Sequence, residues 1–316
     1  MRRCAILFAV VSLWLPVTAF SQTRTPEAAL NHFQNAAKKL DKGDLDGAIE
    51  DYTRAIRLSS HLDLRKSSNS AFGNSYTDSS ADTVTVVDPF TANAYNNRGL
   101  VRFKKGDYFG AIDDFNEALR IRPGQAVPYM NRAAALRANG DLQGALKDLD
   151  KAIFLNKDYC EAFVNRGSLR LDLGDTNGAL ADLNQAIELK NGIPESFYHR
   201  GYAHIAAKNF DRALADFNRA IRLAPEMAWA YQGRGTAWMK KAEMAKAIDD
   251  FTRAIERDPD LAWAYFNRGL AQVYLGNESE AQKDFDECLK LRPDLKTQLD
   301  RKIELARQLR SQNRTY

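Results

Sequence analysis

Six arginines, Arg98, Arg132, Arg166, Arg200, Arg234 and Arg268, recur at intervals of 34 residues without slippage. Around them the chain writes variants of one pentapeptide: YNNRG, YMNRA, FVNRG, FYHRG, YQGRG and YFNRG. A fixed period of this length rules out a single central core. It specifies a stack of like units, each burying its apolar face against the next.

The columns that travel with the arginine say what each unit is. Three residues before it stands a ring (Tyr95, Tyr129, Phe163, Phe197, Tyr231, Tyr265), and one residue after it a small side chain (Gly99, Ala133, Gly167, Gly201, Gly235, Gly269). Further on come Ala111, Ala145, Ala179, Ala213, Ala247 and Ala281, followed four residues later by Phe115, Leu149, Leu183, Phe217, Phe251 and Phe285. Three residues beyond, a small residue returns as Ala118, Ala152, Ala186, Ala220, Ala254 and Cys288. Steps of four and three lie on one face of an α-helix, so small and large side chains alternate where helices must interlock. Gly106-Asp107, Gly140-Asp141, Gly174-Asp175 and Gly276-Asn277 predict a left-handed closing residue and a cap for the next helix. Lys208-Asn209 and Lys241-Ala242 lack the glycine, which predicts two turns less favourable by about 1 kcal/mol each. Proline ends most units, at Pro123, Pro225, Pro259 and Pro293.

An earlier copy lies upstream. AIEDYTRAI (Ala48 to Ile56) matches AIDDFNEAL (Ala111 to Leu119) at an offset of 63, one period and 29 extra residues. This first unit, about 29–62, has His32 in place of the ring and Asn35 in place of the arginine. An end unit with one neighbour missing is expected to depart in this way.

Together these columns resemble the tetratricopeptide repeat family, with helix–turn–helix units of 34 residues. The resemblance implies an all-α, right-handed superhelical solenoid whose first helices line a concave groove. Seven units would cover 238 of the 316 residues. Apolar Leu295, Leu299, Ile303 and Leu309 predict a final helix covering the last unit. The expected layout is a signal peptide over 1–21, an N-terminal segment with the first repeat over 22–62, and a disordered Ser/Thr/Asn-rich insertion over 63–91. Six contiguous repeats follow over 92–295, then a capping helix and tail over 296–316. Within the insertion, TVTVV (Thr83 to Val87) is β-prone, and reads either as part of a surface loop or as a segment for a groove or partner strand.

The arginine column has a counterpart in Asp114, Asp148, Asp182, Asp216, Asp250 and Asp284. Equal numbers of opposite charge predict ion pairs between first and second helices, which argues against a nucleic-acid stripe. Net charge agrees: it is +4 for the whole chain and about +2 without the first 21 residues, too little for a polyelectrolyte partner. The tail from Asp294 holds six Lys/Arg against three Asp/Glu, as a solvated terminal helix would.

Arg2 and Arg3, an apolar run to Val17, and small Ala19 and Ser21 form the pattern of a removable export signal. The run is shorter than the ~20 residues a membrane span needs, so no span is expected once it is removed. Cys160 and Cys288 lie three units apart and are read as small buried residues, without a disulfide framework. Localisation is therefore expected to be the bacterial periplasm, with secretion or a eukaryotic lumen as alternatives. In a lumen, Asn277-Glu-Ser279 and Asn313-Arg-Thr315 would be glycan acceptors.

Catalytic patterns are missing. His32, His61, His199 and His204 are scattered, and there is no HExxH, CxxC, GxSxG or phosphate loop. The expectation is a non-catalytic scaffold with no cofactor, no metal and no nucleic acid, binding a peptide or partner helix in the groove. The resemblance assigns that groove three columns: Asn93, Val127, Glu161, Glu195, Trp229, Trp263; then Asn96, Met130, Val164, Tyr198, Gln232, Phe266; then Leu100, Ala134, Ser168, Tyr202, Thr236, Leu270. No lysine occupies the first two, so the carboxylate clamp some family members use is not expected. The candidate site residues are Asn97, Asn131, Asn165 and Asn267, for a peptide backbone, and Tyr198, Tyr202, Trp229, Trp263 and Phe266, as aromatic anchors. The rings have a second reading, as packing between repeats. Three alternatives stand beside the scaffold: a co-chaperone holding unfolded clients (the His-Pro-Asp tripeptide of J-domains is absent), an enzyme with an unrecognised site, and self-association through end repeats.

Overall fold

The computed structural model describes residues 26–69 and 89–313. The stretch read as an export signal therefore lies outside the described residues, as do residues 70–88 of the expected insertion. The described residues form an all-α repeat solenoid, with no strand among them. Contacts divide the chain into two compact units, Met1–Asn165 and Arg166–Tyr316.

The first unit holds three helical hairpins. They are α1 (Glu27–Asp41) with α2 (Leu45–Asn69), α3 (Pro89–Lys105) with α4 (Tyr108–Ile121), and α5 (Ala126–Ala138) with α6 (Leu142–Leu155). Consecutive helices pack side by side through the series. Helix α7 (Cys160–Asp172) carries the chain into the second unit, where α8 (Thr176–Leu189) completes its hairpin. Three further hairpins follow: α9 (Pro194–Ala206) with α10 (Phe210–Leu223), α11 (Ala228–Lys240) with α12 (Met244–Arg257), and α13 (Ala262–Leu275) with α14 (Glu278–Leu291). Helix α15 (Lys296–Asn313) closes the chain on α13. Within this unit α11 also touches α9 and α13, so these three first helices stand in a row.

The turns inside the hairpins follow their sequence. Gly43, Gly106, Gly140, Gly174 and Gly276 take φ between 79° and 94°. Asp44, Asp107, Asp141 and Asp175 each accept the N–H of a glycine three residues on, at 2.8–2.9 Å. In the fifth and sixth repeats the same left-handed position falls to Lys208 and Ala242, both at φ 60°. The predicted sixth-repeat pair, Lys241-Ala242, is thus shifted by one residue: Ala242 closes the helix and Glu243 stands at the cap. Neither Asn209 nor Glu243 makes a side-chain cap bond.

Interlocking has a geometric basis. A Cβ added at Gly269 would fall 2.4 Å from the Phe285 ring, and one at Gly235 would fall 2.7 Å from Phe251. The rings of Phe115, Phe217 and Phe251 are fully buried, so they have nowhere to retreat.

Two boundaries differ from expectation. Helix α2 runs on to Asn69, because no proline closes it as Pro123 and Pro225 close later units. Helix α3 begins at Pro89, whose fixed φ suits a first helical turn, so both ends of the 63–91 stretch are helical. In α15, Leu299 and Ala306 are buried against α13 and α14, whereas Leu309 is 39% exposed instead of inward. The side chain of Arg310 takes that direction, donating to the Val273 carbonyl at 2.9 Å and to Glu278 at 2.8 Å.

Candidate peptide-binding face

The arginine column is built into the scaffold from several directions. In every full repeat the guanidinium grips the aspartate 16 residues on, with its nearest nitrogen at 2.6–2.7 Å. For Arg98, Arg132, Arg166, Arg200, Arg234 and Arg268 the grip is a fork, with Nε and Nη2 both donating to the carboxylate. The carboxylates are buried while the arginines keep only 12–22% of their side chains in contact with solvent. These are therefore not the exposed pairs that contribute only about 0–1 kcal/mol.

Two further contacts were not anticipated from sequence. The third nitrogen of Arg98 donates to Thr53 (2.9 Å), of Arg132 to Asn116 (2.7 Å), of Arg200 to Asn184 (2.8 Å), of Arg234 to Asn218 (2.6 Å) and of Arg268 to Thr252 (3.0 Å). Each bond crosses to the preceding repeat. The ring three residues upstream lies beneath the same guanidinium, 5.3–5.7 Å from Tyr95, Tyr129, Phe197, Tyr231 and Tyr265. The recurring pentapeptide is thus a ring and a guanidinium stacked on one helix, locking a hairpin to itself and to its predecessor. The short Asn/Thr acceptors on the second helices were a visible column that carried this signal.

The first repeat rebuilds the pair from other parts. Its buried Asp51 is held by Lys39 at 2.7 Å and His32 at 2.8 Å. Burial pushes the Asp51 carboxyl up, but hydrogen bonds from Lys39 and His32 outweigh it, and the net effect is below the ordinary aspartate value. Asp114 goes the other way: burial lifts its carboxyl despite Arg98 and Arg102.

The candidate site residues fall into two groups. In the first unit, Asn131 is buried and donates to Asn96 Oδ1 at 2.9 Å, and Asn96 donates to Asn97 at 3.2 Å. Asn97 in turn hydrogen-bonds the Tyr52 hydroxyl, which burial pushes up to about 12. These asparagines thus bond one another along α3 and α5, and Asn131 is withdrawn from the surface. Asn97, Asn165 and Asn267 are half-buried.

In the second unit the rings cluster on α9, α11 and α13. Tyr198 is buried, 5.1 Å from the Tyr202 ring, and both rest edge-on against Phe217. The Tyr202 hydroxyl donates to Gln232 on α11 at 2.8 Å, tying two first helices together. Phe266 is buried beside Trp263, with ring centroids 5.0 Å apart. Trp229 packs against a buried cluster of Ala228, Tyr231, Ala254, Leu261 and Ala264. Tyr202, Trp229 and Trp263 are each half-buried. Tyr198 and Phe266 are the buried rings beside Tyr202 and Trp263.

Among the described residues no cluster of three His, Cys, Asp or Glu side chains is arranged to hold a metal. No described helix is long and apolar enough to cross a membrane.

Models of the tetratricopeptide repeat family match residues 92–125, 164–228, 198–262 and 262–295, together more than half of the chain. The chain belongs to the tetratricopeptide repeat family. Among solved structures, a tetratricopeptide repeat protein from Parabacteroides merdae ATCC 43184 aligns with TM-score 0.67 at 19% identity, over 89% of this chain and 99% of its own. The APC/C hetero-tetramer Cut9–Hcn1 aligns with TM-score 0.63 at 13% identity, over 87% of this chain and 58% of its own. Pseudomonas aeruginosa pilF aligns with TM-score 0.55 at 17% identity, over 64% of this chain and 92% of its own. At these identities the likeness is one of tetratricopeptide fold. No curated protein matches the sequence.

Proposed function

We propose that this tetratricopeptide protein is a non-catalytic interaction scaffold that binds an apolar or aromatic peptide, or one face of a partner helix, across α9, α11 and α13. One observation carries the reading. Tyr202, Trp229 and Trp263 are half-buried on three first helices standing in a row, with Tyr198 buried beside Tyr202 and Phe266 buried beside Trp263. Rigid rings already packed on one side lose little freedom on binding, which is why aromatic anchors dominate interface energies. Of the groove columns in α9, α11 and α13 only Glu195 is charged, which favours uncharged side chains in the ligand. Half-buried Asn267 is the nearby group suited to a peptide backbone.

The export pattern in residues 1–21 supports a periplasmic setting, where the scaffold would assemble exported partners. The test uses a library of fluorescent peptides read by anisotropy, against wild type and the Trp229→Ala/Trp263→Ala protein, with helicity checked by circular dichroism. Apolar peptides bound by wild type and weakened at least tenfold by the double substitution support the reading. Equal affinities for both proteins would assign the tryptophans to packing alone.

A further inference from the structure

Four residues after each column arginine stands another column: Arg102, Leu136, Arg170, His204, Trp238 and Gln272. Arg102 and Arg170 bring a second guanidinium to the buried aspartate of their repeats, at 3.1 Å and 2.7 Å. They also donate to the carbonyls of Gly110 and Gly178, bridging the first helix to the first turn of the second. The fifth repeat puts His204 in this place. Its side chain is 11% exposed, Nε2 stands 3.8 Å from Asp216, and Nδ1 is buried with no hydrogen-bond partner among the described residues.

A neutral imidazole tolerates this seat as a flat, mostly apolar plug. A protonated one does not. Its second N–H would be buried without an acceptor, at the cost of an unsatisfied charged donor. The charges that act on it are Asp216 and Arg212 from α10 and Arg200 on its own helix, while α8 and α11, also packed on α9, bring none to bear. Asp216 is already gripped by the Arg200 fork, so its attraction is largely spent. The corner is also lightly reinforced, as is the one at Ala242: the closing residue is Lys208 at φ 60°, and Asn209 makes no cap bond.

We propose that His204 is an acid-operated release for the α9–α10 hairpin: neutral, it seats the two helices together, and protonated, it unseats them. The Tyr198–Tyr202 pair, which rests on Phe217 of α10, loosens with it. The release does not depend on what the aromatic face binds. Burial holds the His204 value below the ordinary histidine value, with Asp216 opposing and Arg200 and Arg212 adding to the effect. Stability from this group is therefore complete above the unfolded value of about 6.5 and is lost as pH falls below it.

The test is hydrogen exchange of the full chain at pH 7.5 and pH 5.0, corrected for intrinsic rates. Peptides from 194–223 are compared with peptides from 262–291 in wild type, His204→Leu and His204→Arg. Leucine stands naturally at position 136, and arginine restores the seat of Arg102 and Arg170. Opening of 194–223 should rise several-fold on acidification in wild type and stay flat in both variants. If one variant fails to fold, the other carries the comparison. An acid response that survives in the folded variant belongs to another group, such as buried His199, and overturns the proposal. A flat response in wild type overturns it as well.

Discussion

Removing Arg234 and removing Asp250 should both hurt, and only one of the two losses should heal in acid. Arg234→Ala leaves the Asp250 carboxylate 5% exposed with its fork gone, and strips the bond to Asn218. Breaking a buried pair in this way typically costs about 3–5 kcal/mol; with Arg234 16% exposed, the lower end applies. A lone buried carboxylate escapes by taking up a proton. Part of the loss at neutral pH is therefore the cost of keeping that buried carboxylate charged. The folded value then lies above the unfolded one, near 3.9, so Arg234→Ala should regain stability relative to wild type as pH falls from 7.5 to 5.0. In Asp250→Asn the orphan is a guanidinium, which does not give up its proton in this range. Its deficit should run parallel to wild type. Urea unfolding, with hydrogen exchange over 228–257 because repeat arrays need not unfold in one step, reads both curves. The double variant should show about 1.5–3 kcal/mol of coupling. Additive losses, or a deficit of Arg234→Ala that does not change with pH, would refute the reasoning.

Two other outcomes follow from particular positions. Lys208→Gly and Ala242→Gly should each stabilise by about 0.5–1 kcal/mol, because relief of left-handed strain exceeds the entropy glycine adds to the unfolded chain; thermal melts of each single variant check the sign. Burial pushes the Cys288 thiol up to about 11, with Arg292 opposing, so native protein should react with a thiol reagent at neutral pH far more slowly than urea-unfolded protein. Equal rates would show that the site opens freely.

Much of the fold was legible because repetition supplies its own alignment. The Gly–Phe interlock and the Arg–Asp pairing both stand in the sequence as columns, and columns survive without homologues. Less visible was where each third arginine nitrogen went, because Thr53, Asn116 and Asn184 share an acceptor and not a residue type. The one-residue shift at Ala242 was hidden by a turn that breaks its own consensus. The site was harder, because exposure is decided by rotation about a helix axis. Asn131 and Asn97 look alike in the repeat, yet one is buried and the other half-buried. Trp229 and Trp263 sit in one column, and their half-burial is set by packing that the column does not display.

The junction between the first two repeats carries a consequence for engineering. Helix α2 packs on α3 there, and Thr53 accepts from Arg98 at 2.9 Å, although the chain joining them is 29 residues longer than at any other junction. Loop closure grows only logarithmically, by about 0.6 kcal/mol for each doubling of length. Stacking of this kind is therefore indifferent to how much chain is spooled out between units. A tag, a reporter or a second binding peptide written between residues 69 and 89 should therefore leave the repeats on either side with their grip.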